Sequence, residues 1–195
     1  MSILDVVDGR DRVIGRASFE ECHAKGLPHR GVTVFVFRDS SLREVLLHVR
    51  AKGLNESGRL LGSACGHVEA GQDYEEAALR ELAEELFCGR KAPELSLALL
   101  GKARTSDRPG NTEFISLYSA VYPGPFSPDP HEVEQPHFVA VAELRKDVKA
   151  HPEKYCVSFL QYFTFLERAV RTRARSSPCG ARRRSSSSRA SRGPQ

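Results

Sequence analysis

The most informative segment of the chain extends from Gly66 to Glu85 and has the sequence GHVEAGQDYEEAALRELAEE. In a helix, Glu81, Glu84 and Glu85 fall at positions i, i+3 and i+4, so three carboxylates crowd one face. Like charges at this spacing repel each other, and the cluster is tolerated where solvent screens it or a cation neutralises it. Oxygen ligands alone favour a hard ion, Mg²⁺ or Mn²⁺. With Arg80 available to hold a carboxylate or a carbonyl in place, the segment indicates metal-assisted chemistry on phosphate.

The helix that carries these carboxylates is predicted to begin after Asp73 and to end near Phe87. Asp73 is the expected N-cap, and Glu76 at the third position completes a capping box. The opposite face carries an apolar stripe of Ala78, Leu79, Leu82 and Leu86. Because that stripe would pack on a sheet, we expect the three glutamates to face away from the core.

Strand-like and helix-like segments follow one another along the rest of the chain. Residues 3–14 predict two short strands around the turn dipeptide Asp8-Gly9, and Ser18 is expected to cap a short helix that ends near Gly26. Further strands are predicted at 31–37, 42–50, 61–66, 95–104, 112–122 and 132–141, with helices at 142–150 and 155–170. The strand at 31–37 is expected to pair with 42–50 as a hairpin. Mixed strands with packed helices predict a layered α/β domain.

Composition and cysteine usage restrict the class of protein. The chain has 195 residues, which suits one domain with a core of its own and some additional chain. No run approaches the about 20 apolar residues that cross a bilayer, and the N-terminal residues lack the basic-then-apolar order of a secretory signal. Five cysteines without a CxxC pair do not form a recognisable disulfide framework or zinc site. We therefore expect a cytoplasmic protein with reduced thiols.

Charge is distributed very unevenly along the chain. The net charge is +4, but no acidic residue follows Glu167, whereas nine arginines do. Without those nine, 20 basic side chains remain against 25 acidic ones, a net charge of −5. From residue 171 onward the Arg/Ser-rich sequence predicts a disordered tail. Any contact with nucleic acid is accordingly expected through this basic tail alone.

The segment described first resembles the Nudix box. The box pattern is a glycine, five residues, a glutamate, seven residues, and then Arg-Glu-apolar-x-Glu-Glu-x-Gly-apolar. The residues that match it in register are Gly66, Arg80, Glu81, Leu82, Glu84 and Glu85. The lead-in ILDVVDGRDRVIGRAS, followed by His29-Arg30-Gly31, is similar to one branch of the family that includes the isopentenyl-diphosphate isomerases.

The resemblance implies a fold and a domain organisation. The fold is a Nudix-like α/β/α sandwich with a mixed central sheet, in the α/β class. Residues 1–30 would form a lead-in hairpin and short helix, residues 31–170 the Nudix-like catalytic domain, and residues 171–195 the disordered tail. The implied activity is hydrolysis of a diphosphate linkage in a nucleoside diphosphate derivative or a related small-molecule diphosphate. The sequence leaves a homodimer open.

The resemblance also implies roles for individual residues. Glu81, Glu84 and Glu85 would be ligands of Mg²⁺ (or Mn²⁺), and Arg80 would orient one of them. The backbone carbonyl of Cys65, before the box glycine, is a further implied ligand. The general base is expected to be Glu85 or, from a later loop, Glu132. Arg50 and Arg59 are candidates for binding the substrate phosphates, because a bidentate guanidinium suits phosphate.

The sequence departs from the box at two positions. Gln72 replaces the first glutamate of the pattern, which in the family supports the metal site, so we expect weaker metal binding. Phe87 replaces the final glycine, at the place where the helix usually ends in a left-handed turn. These departures keep open a third interpretation, a Nudix module that binds a nucleotide without hydrolysing it.

An isomerase is the second interpretation. Cys65 and His67 resemble the proton-transferring cysteine and metal-binding histidine of the isopentenyl-diphosphate isomerases, and His29 falls where those enzymes keep another histidine ligand. Glu113 matches one acidic residue of a later strand. The neighbouring position is Asn111 rather than a second acid, the chain has no tryptophan, and it keeps the Arg-Glu-x-x-Glu-Glu run that those enzymes have degraded. These differences favour the hydrolase.

Overall fold

A computed structural model describes residues 2–90, 93–105 and 112–176 of the chain. The strands within these residues are β1 (Ile3–Val7), β2 (Val13–Ser18), β3 (His29–Phe37), β4 (Glu44–Arg50), β5 (Leu60–Leu61), β6 (Ala64–His67), β7 (Ala98–Thr105), β8 (Glu113–Val121) and β9 (Val133–Ala140). The helices are α1 (Phe19–Lys25), α2 (Tyr74–Phe87), α3 (Val141–Ala150), a 3-10 turn (Pro152–Lys154) and α4 (Val157–Ser176).

A mixed sheet forms the centre of the fold. Its main path in the described residues is β5-β4-β3-β8-β7, with β6 added to β3 and β9 added to β4. β3 and β8 run parallel, and the other pairs are antiparallel. This arrangement confirms the predicted mixed sheet.

Strand β3 divides one of its edges between two partners. Gly31 to Val34 pair with β6, whereas β4 pairs with β3 at Phe37 alone, opposite Val45. The expected hairpin of 31–37 with 42–50 is therefore correct only next to the loop that connects the two strands. β4 diverges because β6 occupies the remaining edge, and its long pairing is with β9. The sheet opens between β4 and β6.

Helices cover both faces of the sheet, which confirms the α/β/α sandwich. Val32, Val34 and Val36 of β3 point into a core that α2 closes with Ala78, Leu82 and Leu86. The alternate residues Phe35 and Phe37 point to the other side, where α3 and α4 close a second core. This alternation is the period-2 geometry expected of a strand buried on both faces.

Helix α2 has the predicted start, and its apolar stripe differs from the prediction at one position. Asp73 accepts the N–H of Glu76, and the Glu76 side chain accepts the N–H of Asp73, so the capping box is present. Leu79 is 38% exposed, and Ala77 takes the place that we predicted for it in the apolar stripe. The structure also corrects a prediction about the carboxylates, because Glu81 and Glu85 are buried.

The lead-in and the C-terminal helix complete the fold. β1 and β2 form the predicted hairpin, and Ser18 caps α1, which ends at Gly26 in a left-handed conformation. α4 buries the predicted face and extends to Ser176, six residues past the predicted end at 170, so the tail does not begin at residue 171. The predicted disorder of the rest of the tail concerns residues 177–195, which lie outside the described residues. The division at residue 30 stays a prediction.

Candidate functional site: two polar clusters on either face of one strand

Strand β6 separates two groups of polar side chains. Its residues alternate, so that Ala64 and Gly66 face helix α2, whereas Cys65 and His67 face the side of α4. The box carboxylates lie on the α2 side. A histidine-rich cluster lies on the other side. We describe the two groups in this order.

Arg80 organises the carboxylates of the box. Its Nη2 donates to Glu81 Oε1 at 2.8 Å and to the carbonyl oxygen of His67 at 2.7 Å. Its Nη1 donates to Glu84 Oε2 at 2.7 Å. One guanidinium thereby joins two glutamates of α2 to the end of β6. The orienting geometry expected of Arg80 is present.

Glu85 is fixed by the backbone of β6. The N–H of Cys65 donates to Glu85 Oε1 at 3.1 Å, and the glutamate is 4% exposed. Glu81 is 8% exposed, whereas the Glu84 side chain is 47% exposed. The expectation that all three glutamates face away from the core is therefore wrong for Glu81 and Glu85, because β6 crosses beside α2 and covers them.

Burial changes the ionisation of these carboxylates. It raises the pKa of Glu81 to about 7, against the opposing effect of Arg80, and it raises the pKa of Glu85 well above its usual value. The carboxylate of Glu132 adds to both shifts, and burial also raises the pKa of Glu132 itself. Arg50 lowers the pKa of Glu85 and of Glu132. The structure thus brings five predicted site residues close enough to act on one another electrostatically: Arg50, Arg80, Glu81, Glu85 and Glu132.

The residues around Glu81 fit a hard divalent cation. A Cβ at position 66 would come within 2.0 Å of Glu81 Oε1, so only glycine leaves room for this carboxyl group beside β6. The donor set consists of carboxylate oxygens, which suit Mg²⁺ better than zinc. A cation there would offset the cost of burying several negative charges together.

The two departures from the box pattern have local explanations. Gln72 Oε1 accepts the N–H of Glu69 at 3.2 Å, so its amide closes the loop before α2. Phe87 stays in the helix, is 7% exposed, and packs on Tyr122 and Phe126. The left-handed turn moves one residue on, to Cys88 with φ of 53°. The exit of α2 is thus displaced, and the spacing of the ligands is kept.

A second cluster consists of His23, His29, His67 and Glu113, whose ligand atoms all lie within 4.8 Å of one another. Glu113 Oε1 is 3.5 Å from Nε2 of both His29 and His67. The Nε2 atoms of His23 and His67 are 3.4 Å apart. A tetrahedral ion with bonds of about 2.1 Å places its ligands about 3.4 Å apart. Three imidazoles and one carboxylate at these distances suit a transition metal such as Zn²⁺, Mn²⁺ or Fe²⁺.

Strand register explains how this cluster forms. His29 and Glu113 are direct partners in the parallel pair of β3 and β8, and His67 lies opposite Gly31 in the neighbouring pair. The backbone carbonyl of Leu27 lies 2.8 Å from Nδ1 of His29, which favours the tautomer protonated there and turns Nε2 toward the cluster.

One member of the cluster was not predicted. His23 belongs to α1, and no local motif distinguishes it from an ordinary helix residue. It reaches the cluster because Gly26 reverses the chain between α1 and β3. Asn111, the second position compared with the isomerases, lies outside the described residues.

A cavity of about 230 Å³ opens beside the histidines. Cys65, Arg50 and Glu56 line it together with three members of the cluster. Arg59 forms an ion pair with Glu56 at 3.0 Å on the rim instead. Burial raises the pKa of the Cys65 thiol well above its usual value, so this thiol is protonated at neutral pH. A second cavity of about 240 Å³ is lined by Arg80, Glu81 and Glu69 with residues of β1.

Comparison with known proteins identifies the family. Residues 27–159 match the NUDIX domain. The uncharacterised Nudix hydrolase SCO1686 of Streptomyces coelicolor is 38% identical over 144 residues, covering 73% of this chain and 76% of that protein. With the box on a sandwich of the expected topology, the chain belongs to the Nudix hydrolase family.

A second similar sequence and a similar solved structure belong beside this family assignment. An isopentenyl-diphosphate Delta-isomerase of Serratia proteamaculans is 29% identical over 158 residues, covering 81% of this chain and 87% of that protein. The crystal structure of DR0079 from Deinococcus radiodurans superimposes with a TM-score of 0.68 at 21% identity, covering 86% of this chain and 98% of that one. The latter shows the same fold. None of the helices in the described ranges has the length and apolar character required to cross a bilayer.

Proposed function

We propose that the protein is a Mg²⁺-dependent (or Mn²⁺-dependent) hydrolase that cleaves a diphosphate linkage in a nucleoside diphosphate derivative or a related small-molecule diphosphate. The observation that carries this proposal is the guanidinium of Arg80, which holds Glu81 and Glu84 together at the end of β6. A rigid helix with a buried back supports these carboxylates, as a metal-ligand platform requires.

Glu81, Glu84 and Glu85 would hold the cation, and the carbonyl of Cys65 would be a further ligand. The cation would neutralise the diphosphate and lower the pKa of an attacking water. Arg80 keeps two of the carboxylates in place, and the N–H of Cys65 does the same for Glu85. These contacts pre-arrange the ligand oxygens before any ion arrives.

Two carboxylates are candidates for the general base, Glu85 and Glu132. Both have a raised pKa, which suits a group that must accept a proton near neutral pH. Arg50 lines the cavity beside the histidines and lowers the pKa of both Glu85 and Glu132. Of the two arginines predicted to bind phosphate, it is therefore the better placed. Arg59 would reach substrate only after leaving Glu56.

Formation of the two monophosphate products from a panel of nucleoside diphosphate derivatives, with Mg²⁺ and with Glu85→Gln beside the parent, tests the hydrolase. The glutamine can still accept the N–H of Cys65, so the fold should persist. We expect turnover by the parent and a loss of about a hundredfold or more in the variant. Equal turnover by both proteins would contradict the proposal.

An isomerase acting on isopentenyl diphosphate is the second candidate. It is favoured by one observation, that Cys65 lines the same cavity as the histidine cluster. Its protonated thiol would supply a proton to one carbon of the double bond, a carboxylate lining the same cavity would remove a proton from the carbon on the other side, and the cluster would hold a transition metal.

Isopentenyl diphosphate is therefore included in the panel, with Cys65→Ala as the discriminating variant. Isomerisation that disappears in Cys65→Ala but survives Glu85→Gln would favour the second candidate. Nucleotide binding without formation of the monophosphate products would favour the non-hydrolysing module. A cytoplasmic location, a homodimer and nucleic-acid contact through the tail stay predictions of the sequence.

A further inference from the structure

Asp5 is a buried carboxylate for which the proposed chemistry has no role. It lies in β1 and is 5% exposed. Its Oδ2 accepts the N–H of Gly71 at 2.9 Å, and its Oδ1 accepts from Nε of Arg16 at 3.1 Å. Gly71 belongs to the loop 68–72 that connects β6 to α2, and its φ of 85° is a conformation that suits glycine. Asp5 thus connects the lead-in hairpin to the loop of the Nudix box.

Backbone contacts hold the same loop along its length. The N–H of Ala70 donates to the carbonyl of Ile3 at 2.8 Å, and Leu4 forms a bridge with Glu69. The hydroxyl of Ser2 donates to Glu69 Oε1 at 3.3 Å. β1 therefore runs beside the loop like an additional short strand, with Asp5 as its side-chain contact.

The loop is in turn connected to the carboxylates of α2. Glu69 lines the second cavity together with Arg80, the residue whose guanidinium holds Glu81 and Glu84. Ser2 and Leu4 line the second cavity together with Arg80 and Glu81. The lead-in consequently forms one wall of the space in front of these carboxylates.

We propose that Asp5 is a positioning residue of the metal site, because it fixes the loop that leads into α2 and whose Glu69 lines the same cavity as Arg80 and Glu81. Residues 2–26 precede the stretch that matches the family, which begins at residue 27. In this protein they would nevertheless form part of the site. The proposal rests on the proposed function for the identity of the metal, and its main readout is metal binding rather than turnover.

Loss of the Asp5 acceptor leaves the N–H of Gly71 unsatisfied and loosens the loop. Partners that orient metal ligands from one shell away typically contribute a factor of about 10 to 100 in metal affinity. Asp5 acts through a longer chain of contacts, so we expect Mg²⁺ affinity to fall about tenfold.

The test compares full-length parent protein with Asp5→Ala, Asp5→Asn, Asp5→Glu and Arg16→Gln. Mg²⁺ is titrated calorimetrically, because a hard ion disfavours the histidine cluster. Melting temperature, kcat and the Mg²⁺ concentration for half-maximal turnover are measured alongside. Asp5→Ala should bind Mg²⁺ about tenfold more weakly and need correspondingly more Mg²⁺, with kcat at saturating Mg²⁺ close to that of the parent.

The other variants separate positioning from stability. Asp5→Asn keeps an acceptor for Gly71 and should restore most of the affinity. Arg16→Gln should match the parent, because the Arg16 side chain is 64% exposed and donates to Oδ1 of Asp5, whereas the N–H of Gly71 donates to Oδ2. Asp5→Glu keeps the charge but moves the acceptor by one methylene, so it should also bind Mg²⁺ weakly. It replaces Asp5→Ala in the test if that variant fails to fold.

Parent-like Mg²⁺ affinity in Asp5→Ala or Asp5→Glu, whatever their melting temperatures, would overturn the proposal. A parent that binds Mg²⁺ but hydrolyses nothing would contradict the proposed function. The Mg²⁺ affinities of the Asp5 variants would then still decide whether Asp5 positions the metal site. A parent that binds no Mg²⁺ would overturn both.

Discussion

The α-carbon of Gly66 lies against the carboxyl group of Glu81, so a Cβ at position 66 would approach Glu81 Oε1 to 2.0 Å. The glycine of the box and the carboxylate of Glu81 therefore depend on each other through space. Arg80 holds the same carboxylate from the other side at 2.8 Å. The missing side chain of Gly66 thus leaves room for the Glu81 carboxylate, and the guanidinium of Arg80 pairs with it there.

Gly66→Ala should remove Glu81 from this position while preserving the fold. The colliding atoms are the end of a flexible side chain, which can move out toward the second cavity. We expect turnover and Mg²⁺ affinity to fall about tenfold to a hundredfold. The free energy of unfolding should change by about 1–2 kcal/mol, which urea denaturation measures.

Gly15→Ala is the matched control, because nothing lies within 4 Å of a Cβ at that position of β2. It should match the parent in both activity and stability. Parent-like Mg²⁺ affinity in Gly66→Ala would show that Glu81 is not required where the structure places it.

Cys88→Gly should stabilise the protein. Cys88 is exposed and adopts φ of 53°, the left-handed conformation that costs a non-glycine residue about 1 kcal/mol. Glycine removes that cost but gains entropy in the unfolded chain, so we expect a net gain of about 0.5 kcal/mol. Urea unfolding of the parent, Cys88→Gly and Cys88→Ala measures it, since alanine removes the thiol without relieving the backbone. A gain in Cys88→Ala equal to that in Cys88→Gly would refute the backbone explanation.

Acidification should destabilise the protein through His48. This residue is 1% exposed, and burial, with the nearby charge of Arg50, lowers its pKa from 6.5 to about 4. Between these values the unfolded chain binds a proton that the folded chain does not, so stability falls as pH decreases from about 6.5 to about 4. From pH 7 to pH 5 the contribution is about 2 kcal/mol in the free energy of unfolding.

The variant His48→Gln isolates this contribution. Glu81 and Glu85 have a raised pKa, which makes the folded state more stable toward acid and therefore acts in the opposite direction. The two proteins share those carboxylates, so the difference between their stability curves reports His48 alone. Parallel curves for parent and variant would contradict the assignment.

Local signals in the sequence were sufficient for the main elements of the fold. The capping box of Asp73 and Glu76 marks the start of α2, and the β-branched run from Val32 to Val36 marks a buried strand. Both depend on residues within a few positions of each other. The family pattern placed Arg80 correctly beside its carboxylates.

Features that depend on long-range contacts could not be predicted in this way. Glu81 and Glu85 are buried because β6 passes over them, and His23 joins the histidine cluster because a turn at Gly26 folds α1 back. Leu79 differs from its prediction because the packing of α2 on the sheet buries Ala77 instead, while Ala78 and Leu82 stay buried. No periodicity along the chain contains this information.

The most direct test of the central claim measures Mg²⁺-dependent cleavage of nucleoside diphosphate derivatives into their two monophosphate products by the parent, Glu84→Gln and Glu75→Gln. Glu84 is half exposed and paired with Arg80, so its loss should leave the fold intact. Glu75 is an exposed carboxylate in the first turn of the same helix and lies outside the ligand set. The account predicts that Glu84→Gln lowers turnover about a hundredfold or more, whereas Glu75→Gln leaves it unchanged. Equal turnover by Glu84→Gln and the parent would contradict it.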